Sequence, residues 1–221
     1  MTDALINVNG SNVQSLDIIL LMAVLTLLPS LVVMMTSFTR YVVVLSFLRT
    51  AMGTQQTPPN MVLVGMALIL TLFTMTPTLD AVKTEAYDPY AAGEITQEEF
   101  FDQAQAPLKE FMLRNTAPAS LELYCNMADV PVPESDAEAG DLPMRVVMPS
   151  FVTTELKRAF EIGFLLYIPF LLIDVIVSST LMSMGMVMLP PSMISTPFKI
   201  LLFIMLDGWQ LLFSTLITTV N

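Results

Sequence analysis

With no His and a single Cys, Cys125, this chain has no imidazole base, no Cys/His nucleophile pair and none of the usual zinc ligand sets. Glu98 and Glu99 are adjacent and point to different faces of a helix, so they read as surface charge rather than as an acid/base pair. No G-x-x-x-x-G-K-S/T segment is present, which excludes nucleotide hydrolysis by that route. What remains is polar chemistry in apolar surroundings. Asp174, Lys199 and Asp207 stand inside apolar runs, where an ionisable group facing lipid costs about 2.5–3.5 kcal/mol, so each is expected to face protein or water. They could form a proton or substrate path, or they could pair between helices or subunits. Lys199 and Asp207 are eight residues apart, about 12 Å along one helix, so each needs a partner from another helix or another copy. Trp209, close to mid-run, is expected to pack against a partner.

The second feature is the stretch from Ser178 to Pro197, where Met182, Met184, Met186 and Met188 occupy every second position. On a helix this spacing scatters the side chains; on an extended segment all four share one face. Gly185 inside the run and Pro190-Pro191 at its end predict an irregular or partly extended backbone. Such backbone is tolerated at membrane depth only where it is buried in protein or lines an aqueous cavity. Flexible thioethers facing one axis could form a deformable seal; a Met-rich hairpin turn is the plainer alternative.

These residues need elements to hold them, and the composition says which kind. At 54% hydrophobic and 13% charged residues the chain falls in the membrane class. The expected fold is all-α: two kinked helical hairpins flanking an acidic helical extracytoplasmic domain. Residues 1–15 are polar, carry Asp3 rather than a basic leader, and are not expected to open a secretory signal. Residues 16–79 form the first hairpin, with apolar runs at 16–35, kinked at Pro29, and 61–77. Arg40 and Arg49 fall in the segment between these runs and are expected to mark topology, which places them in the cytoplasm. Residues 80–150 form the acidic domain. It carries fourteen acids against Lys83, Lys109, Arg114 and Arg145, a balance that argues against nucleic acid as a partner. Within it, Thr96 and Glu99 make a capping-box pattern that opens a helix over 97–115; a shorter helix is expected over 119–127 and a loop over 129–143. Residues 151–221 form the second hairpin, with Ser150 as cap, runs at 162–181 and 198–220, and the Met-rich loop 182–193 between them.

The segments MTSFTRYVVVLSFLRTAMGTQQTPPN (35–60), PLKEFMLRNT (107–116), TELKRAFEIGFLLYIPFLLIDVIVSS (154–179), MGMVMLPPSMISTPFKILLF (184–203) and LDGWQLL (206–212) closely resemble the FliP family of flagellar biosynthesis proteins. The resemblance runs over nearly the whole chain from residue 16. It implies the main subunit of a type III protein export gate in the bacterial inner membrane, at the flagellar basal body. Several copies, expected to be a pentamer, would assemble with two smaller membrane proteins of the FliQ and FliR type into a helical ring that passes unfolded flagellar proteins. The acidic domain would lie on the periplasmic side. No enzymatic activity and no cofactor are implied. The family's methionine run matches Met186, Val187 and Met188, with Met184 close by, and its implied role is a gasket around the closed pore; the chain departs from a pure Met triplet at Val187. The family also pairs Glu155 with Lys199 between neighbouring copies. Gates of this kind sit largely above the membrane plane, so four apolar runs need not be four spanning helices. Two rivals stand beside this reading: an injectisome export subunit, which shares most of these blocks, and a proton-coupled transporter using Asp174 and Asp207. The transporter would carry an inverted repeat, and the two hairpins show none.

Overall fold

A computed structural model of the chain describes residues 5–8, 11–186 and 188–220. Ten α-helices are described: α1 Ser15–Met35, α2 Phe38–Met52, α3 Asn60–Val82, α4 Asp88–Ala91, α5 Gln97–Arg114, α6 Pro118–Met127, α7 Asp136–Asp141, α8 Met144–Ser183, α9 Pro191–Met205 and α10 Gly208–Thr218. A π-turn, Lys83–Tyr87, runs α3 into α4. The protein is an all-α membrane protein. A short antiparallel strand pair, β1 Leu5–Val8 with β2 Ser11–Gln14, precedes α1 within the segment read from sequence as merely polar.

Among the described residues, two helical stretches are long and apolar enough to cross a membrane alone, Asn60–Ala91 and Met144–Ser183. Two bent pairs qualify only when each is taken as one span. These are Pro29–Met35 with Phe38–Met52, bent by 83°, and Pro191–Met205 with Gly208–Thr218, bent by 65°. The first bend is satisfied locally: Thr36 Oγ1 donates to the Val32 carbonyl at 2.5 Å and Thr39 Oγ1 to the Val33 carbonyl at 2.7 Å. Hydroxyls thus take over carbonyls that a broken helix leaves without amide partners. The second bend is the Asp207-Gly208 step. Asp207 adopts the left-handed conformation (φ 48°), which Asp tolerates better than most residues. A Cβ on Gly208 would come within 2.3 Å of the Phe203 ring. Trp209 stands edge-on to that ring at 5.2 Å, so the Asp-Gly-Trp block is a tight corner in which the start of α10 packs back on α9.

The helix α2 corrects the expected loop around Arg40 and Arg49. Its apolar residues Tyr41, Val44, Leu45 and Leu48 are fully buried, and Gly53 (φ 73°) ends it, its N–H donating a hydrogen bond to the Thr50 carbonyl. Helix α2 runs parallel to α8, matching Arg40 to Glu155 and Phe47 to Gly163. α3 folds back along α2, and the α9/α10 pair folds back along α8, so the tips of both hairpins lie at one end. At Gly163 a Cβ would meet Phe47 Cγ at 2.6 Å and its Cβ at 3.0 Å, atoms that cannot swing clear. Gly163→Ala should therefore separate α2 from α8 and cost about 1–3 kcal/mol, the usual range for overpacking, read as a lower unfolding midpoint in detergent. An unchanged midpoint would show that the crossing is loosely held.

The acidic domain packs on the start of α8. The capping box is in place, with the Thr96 amide donating to Glu99 Oε2 at 2.7 Å, and this bond holds the Glu99 carboxyl below the ordinary carboxylate range. The expected loop over 129–143 contains the six-residue helix α7, which Ser135 caps. Ser150 is not a cap: α8 runs unbroken through it, and its hydroxyl donates to the Val146 carbonyl at 2.6 Å. At 40 residues α8 is about 60 Å long, twice a hydrocarbon core of about 30 Å. Its first turns therefore serve the acidic domain. Ala117 N–H donates to Thr154 Oγ1 at 3.1 Å, the Tyr124 and Thr153 hydroxyls meet at 2.8 Å, and Phe151 packs on Phe111. Residue 150, the expected end of the acidic domain, thus lies inside one continuous helix.

Candidate functional site

The Met run leaves the last turn of α8 and turns at Gly185. The Gly185 amide donates to the Met182 carbonyl at 3.0 Å and the Met186 amide to the Leu181 carbonyl at 3.0 Å. This is a Schellman closure with glycine in the left-handed position (φ 77°). The alternating Met pattern is thus a helix end followed by a turn, not the extended row that would put all four on one face. Met182, Met184, Met186 and Met188 are nonetheless all exposed, Met188 at 98%. Val187 lies outside the described residues. Nothing described in the chain covers these thioethers.

Beneath the loop lies an ionic cluster that joins three helices. Lys199 Nζ, on α9, donates to Asp174 Oδ2 on α8 at 2.5 Å and to the Ala51 carbonyl at the end of α2 at 3.1 Å. Ser195 Oγ donates to Asp174 Oδ1 at 2.6 Å. The Lys199 and Ser195 side chains are buried, whereas that of Asp174 keeps 32% of its surface. Lys199 was expected to need a partner from another helix or another copy, and within this chain Asp174 on α8 serves it. Their places made this readable: Asp174 precedes Met184 by ten residues and Lys199 follows Pro191 by eight, so a hairpin brings them level. Ser195, one helical turn before Lys199, carried no separate signal.

At the opposite end, α2, α8 and the C-terminal end of α10 meet at Arg40. Its Nε donates to Glu155 Oε2 at 2.8 Å, Nη2 engages Glu155 Oε1, and Nη1 donates to the Thr219 carbonyl at 2.7 Å. Arg40 is 0% exposed and Glu155 1%. A guanidinium buried on this scale acts as a structural pin between the three helices. Arg49 stays near the hairpin tip, bonded to Asn60 Oδ1 at 2.5 Å.

Glu155 and Lys199, whose implied pairing is between neighbouring copies, are each engaged within the single chain, by Arg40 and Asp174 respectively. Asp207, expected to be buried, is exposed on the outside of the α9–α10 corner, because the left-handed turn directs the chain into the core through Gly208 instead. Asp174 and Asp207 therefore share no site. Trp209 does pack, but within its own chain, between Phe203 and Phe213. Among the described residues no group of acids or Cys could hold a metal ion.

The FliP family model matches residues 21–216, which takes in both hairpins, the Met loop and the acidic domain. The chain belongs to the FliP family. Similar proteins include the flagellar biosynthetic protein FliP of Aquifex aeolicus strain VF5, 48% identical over 208 residues that cover 94% of this chain and 87% of that protein. The flagellar biosynthetic protein FliP of Bacillus subtilis strain 168 is 48% identical over 207 residues, covering 93% and 92%. That of Pectobacterium carotovorum subsp. carotovorum is 48% identical over 216 residues, covering 98% and 83%. FliP membership makes this chain a membrane protein of flagellum biogenesis and not an enzyme.

Proposed function

We propose that this FliP-family chain is a core subunit of the flagellar protein export gate and that its Met loop is the gasket of the closed pore. Several copies, taken as five, ring a conduit for unfolded flagellar proteins together with two smaller membrane proteins of the FliQ and FliR type. The observation that carries the reading is the exposure of Met184, Met186 and Met188 on a closed turn at one end of the bundle. Exposed flexible thioethers gain most where they meet one another around an axis, since soft unbranched side chains adapt to a closing contact. Arg49 at the same end supports a cytoplasmic position for the hairpin tips, which leaves the acidic domain periplasmic in the inner membrane.

Replacing Met184, Met186 and Met188 together with Ala should raise small-ion conductance through the assembled gate while its native mass stays constant. Conductance equal to that of the unaltered gate would remove the gasket role.

A further inference from the structure

We infer that Lys199 is the positioning residue of the Met loop: through Asp174, Ser195 and the Ala51 carbonyl it fixes where the tip of the second hairpin stands relative to the first. The inference rests on the gasket reading for its functional meaning but not for its geometry.

Among the described residues, the loop shows no side-chain anchor of its own. Its Met residues are exposed, and its backbone bonds close only on the end of α8. Its place is therefore set by the helices it joins. Near the loop, the polar attachments of α8 to α9 are the 2.5 Å bond of Lys199 to Asp174 and the 2.6 Å bond of Ser195 to the same carboxylate. Asp174 lies about 15 Å along α8 from Met184, and Ser195 only four residues into α9, so the clamp grips both arms close to the turn. Apolar contacts farther away, such as Phe170 with Phe203 at 6.4 Å between ring centres, are non-directional and permit sliding, which short charge-assisted hydrogen bonds resist.

The third bond extends the grip to the other hairpin. Ala51 contributes one of the last carbonyls of α2, at the negative end of the helix dipole, where an ammonium is favoured. The two hairpins also touch here: a Cβ on Gly53 would come within 3.0 Å of Thr196 Oγ1. One buried ammonium thus holds α2, α8 and α9 in register. In an assembled ring, a loop held in this way presents its thioethers at the same height in every copy.

The test uses the full-length protein in detergent with Cys125→Ala and nitroxides on cysteines introduced at Met61 and Met188, both strongly exposed and on different hairpin tips. The unaltered clamp should give a narrow distance distribution. Lys199→Gln and the milder Ser195→Ala should broaden or shift it while helix content stays constant. Distributions that superimpose on the parent for Ser195→Ala and for every folded clamp variant would overturn the inference. The unlabelled gate supplies the second arm: Ser195→Ala should raise ion conductance at unchanged native mass, as the triple Met variant does. If the distances broaden but the triple Met variant does not leak, the clamp stands and the gasket reading fails, so the two failures separate.

Discussion

Arg40→Ala is expected to lower the unfolding free energy of the detergent-solubilised chain by about 3–5 kcal/mol, the cost of breaking a buried ion pair by removing one partner. The magnitude follows from what the truncation leaves behind. Glu155, 1% exposed, would lose the guanidinium that engages both its carboxylate oxygens, and the Thr219 carbonyl would lose its 2.7 Å donor. Three elements would lose their common point at once, since Arg40 sits on α2, Glu155 on α8 and Thr219 just after α10. Lysine should not substitute, because a single ammonium cannot reproduce the planar fork that holds both carboxylate oxygens and a carbonyl. Removing both charges is a different experiment. Arg40→Leu with Glu155→Leu should recover most of the lost stability, since no uncompensated charge remains. Denaturant midpoints followed by Trp209 fluorescence measure all three variants. A single Arg40→Ala chain as stable as the parent would mean that water reaches Glu155 and that the pin is not closed.

How much of this was readable from residues depends on the range over which each signal acts. The capping box at Thr96 and Glu99 is a contact three residues long, and the helix it opens runs from Gln97 to Arg114, within one residue of its expected end. The hairpins follow from hydropathy and helix-breaking residues, which are local as well. Arg40 is the opposite case. Its partner is 115 residues away, and in sequence a buried Arg between apolar runs looks like one that marks a cytoplasmic loop. The Met run was legible in part: Gly185 and Pro190-Pro191 signal an irregular or partly extended backbone, and the helix does end at Gly185, but the form of that end, a Schellman closure, lies in backbone bonds that the side-chain pattern does not reveal. The corner at Asp207 was hidden because an Asp in an apolar run reads as a buried charge. The left-handed conformation that its type permits is visible only in the backbone.

Reversing Lys199 to Glu should be at least as damaging as losing Arg40, and the identity of the second mutation that repairs it decides which partner Lys199 uses. In the single chain the reversal sets a carboxylate against Asp174, with Ser195 and the Ala51 carbonyl offering no cation in exchange. Two acids at this contact cannot both ionise cheaply, so the yield of folded chain and the swimming of cells that depend on it should both collapse. Adding Asp174→Lys restores opposite charges across the same α8–α9 contact and should bring back folded yield first and swimming with it. Glu155→Lys is the contrasting repair, the one expected if neighbouring copies pair Glu155 with Lys199. It carries its own penalty, because it places an ammonium against the fully buried Arg40 guanidinium. Repair by Asp174→Lys alone would establish the in-chain clamp as the working arrangement in the assembled gate. Repair by Glu155→Lys, despite the clash with Arg40, would show that assembly moves both residues away from their in-chain partners, and that the energy of ring closure exceeds the cost of opening two ion pairs per copy.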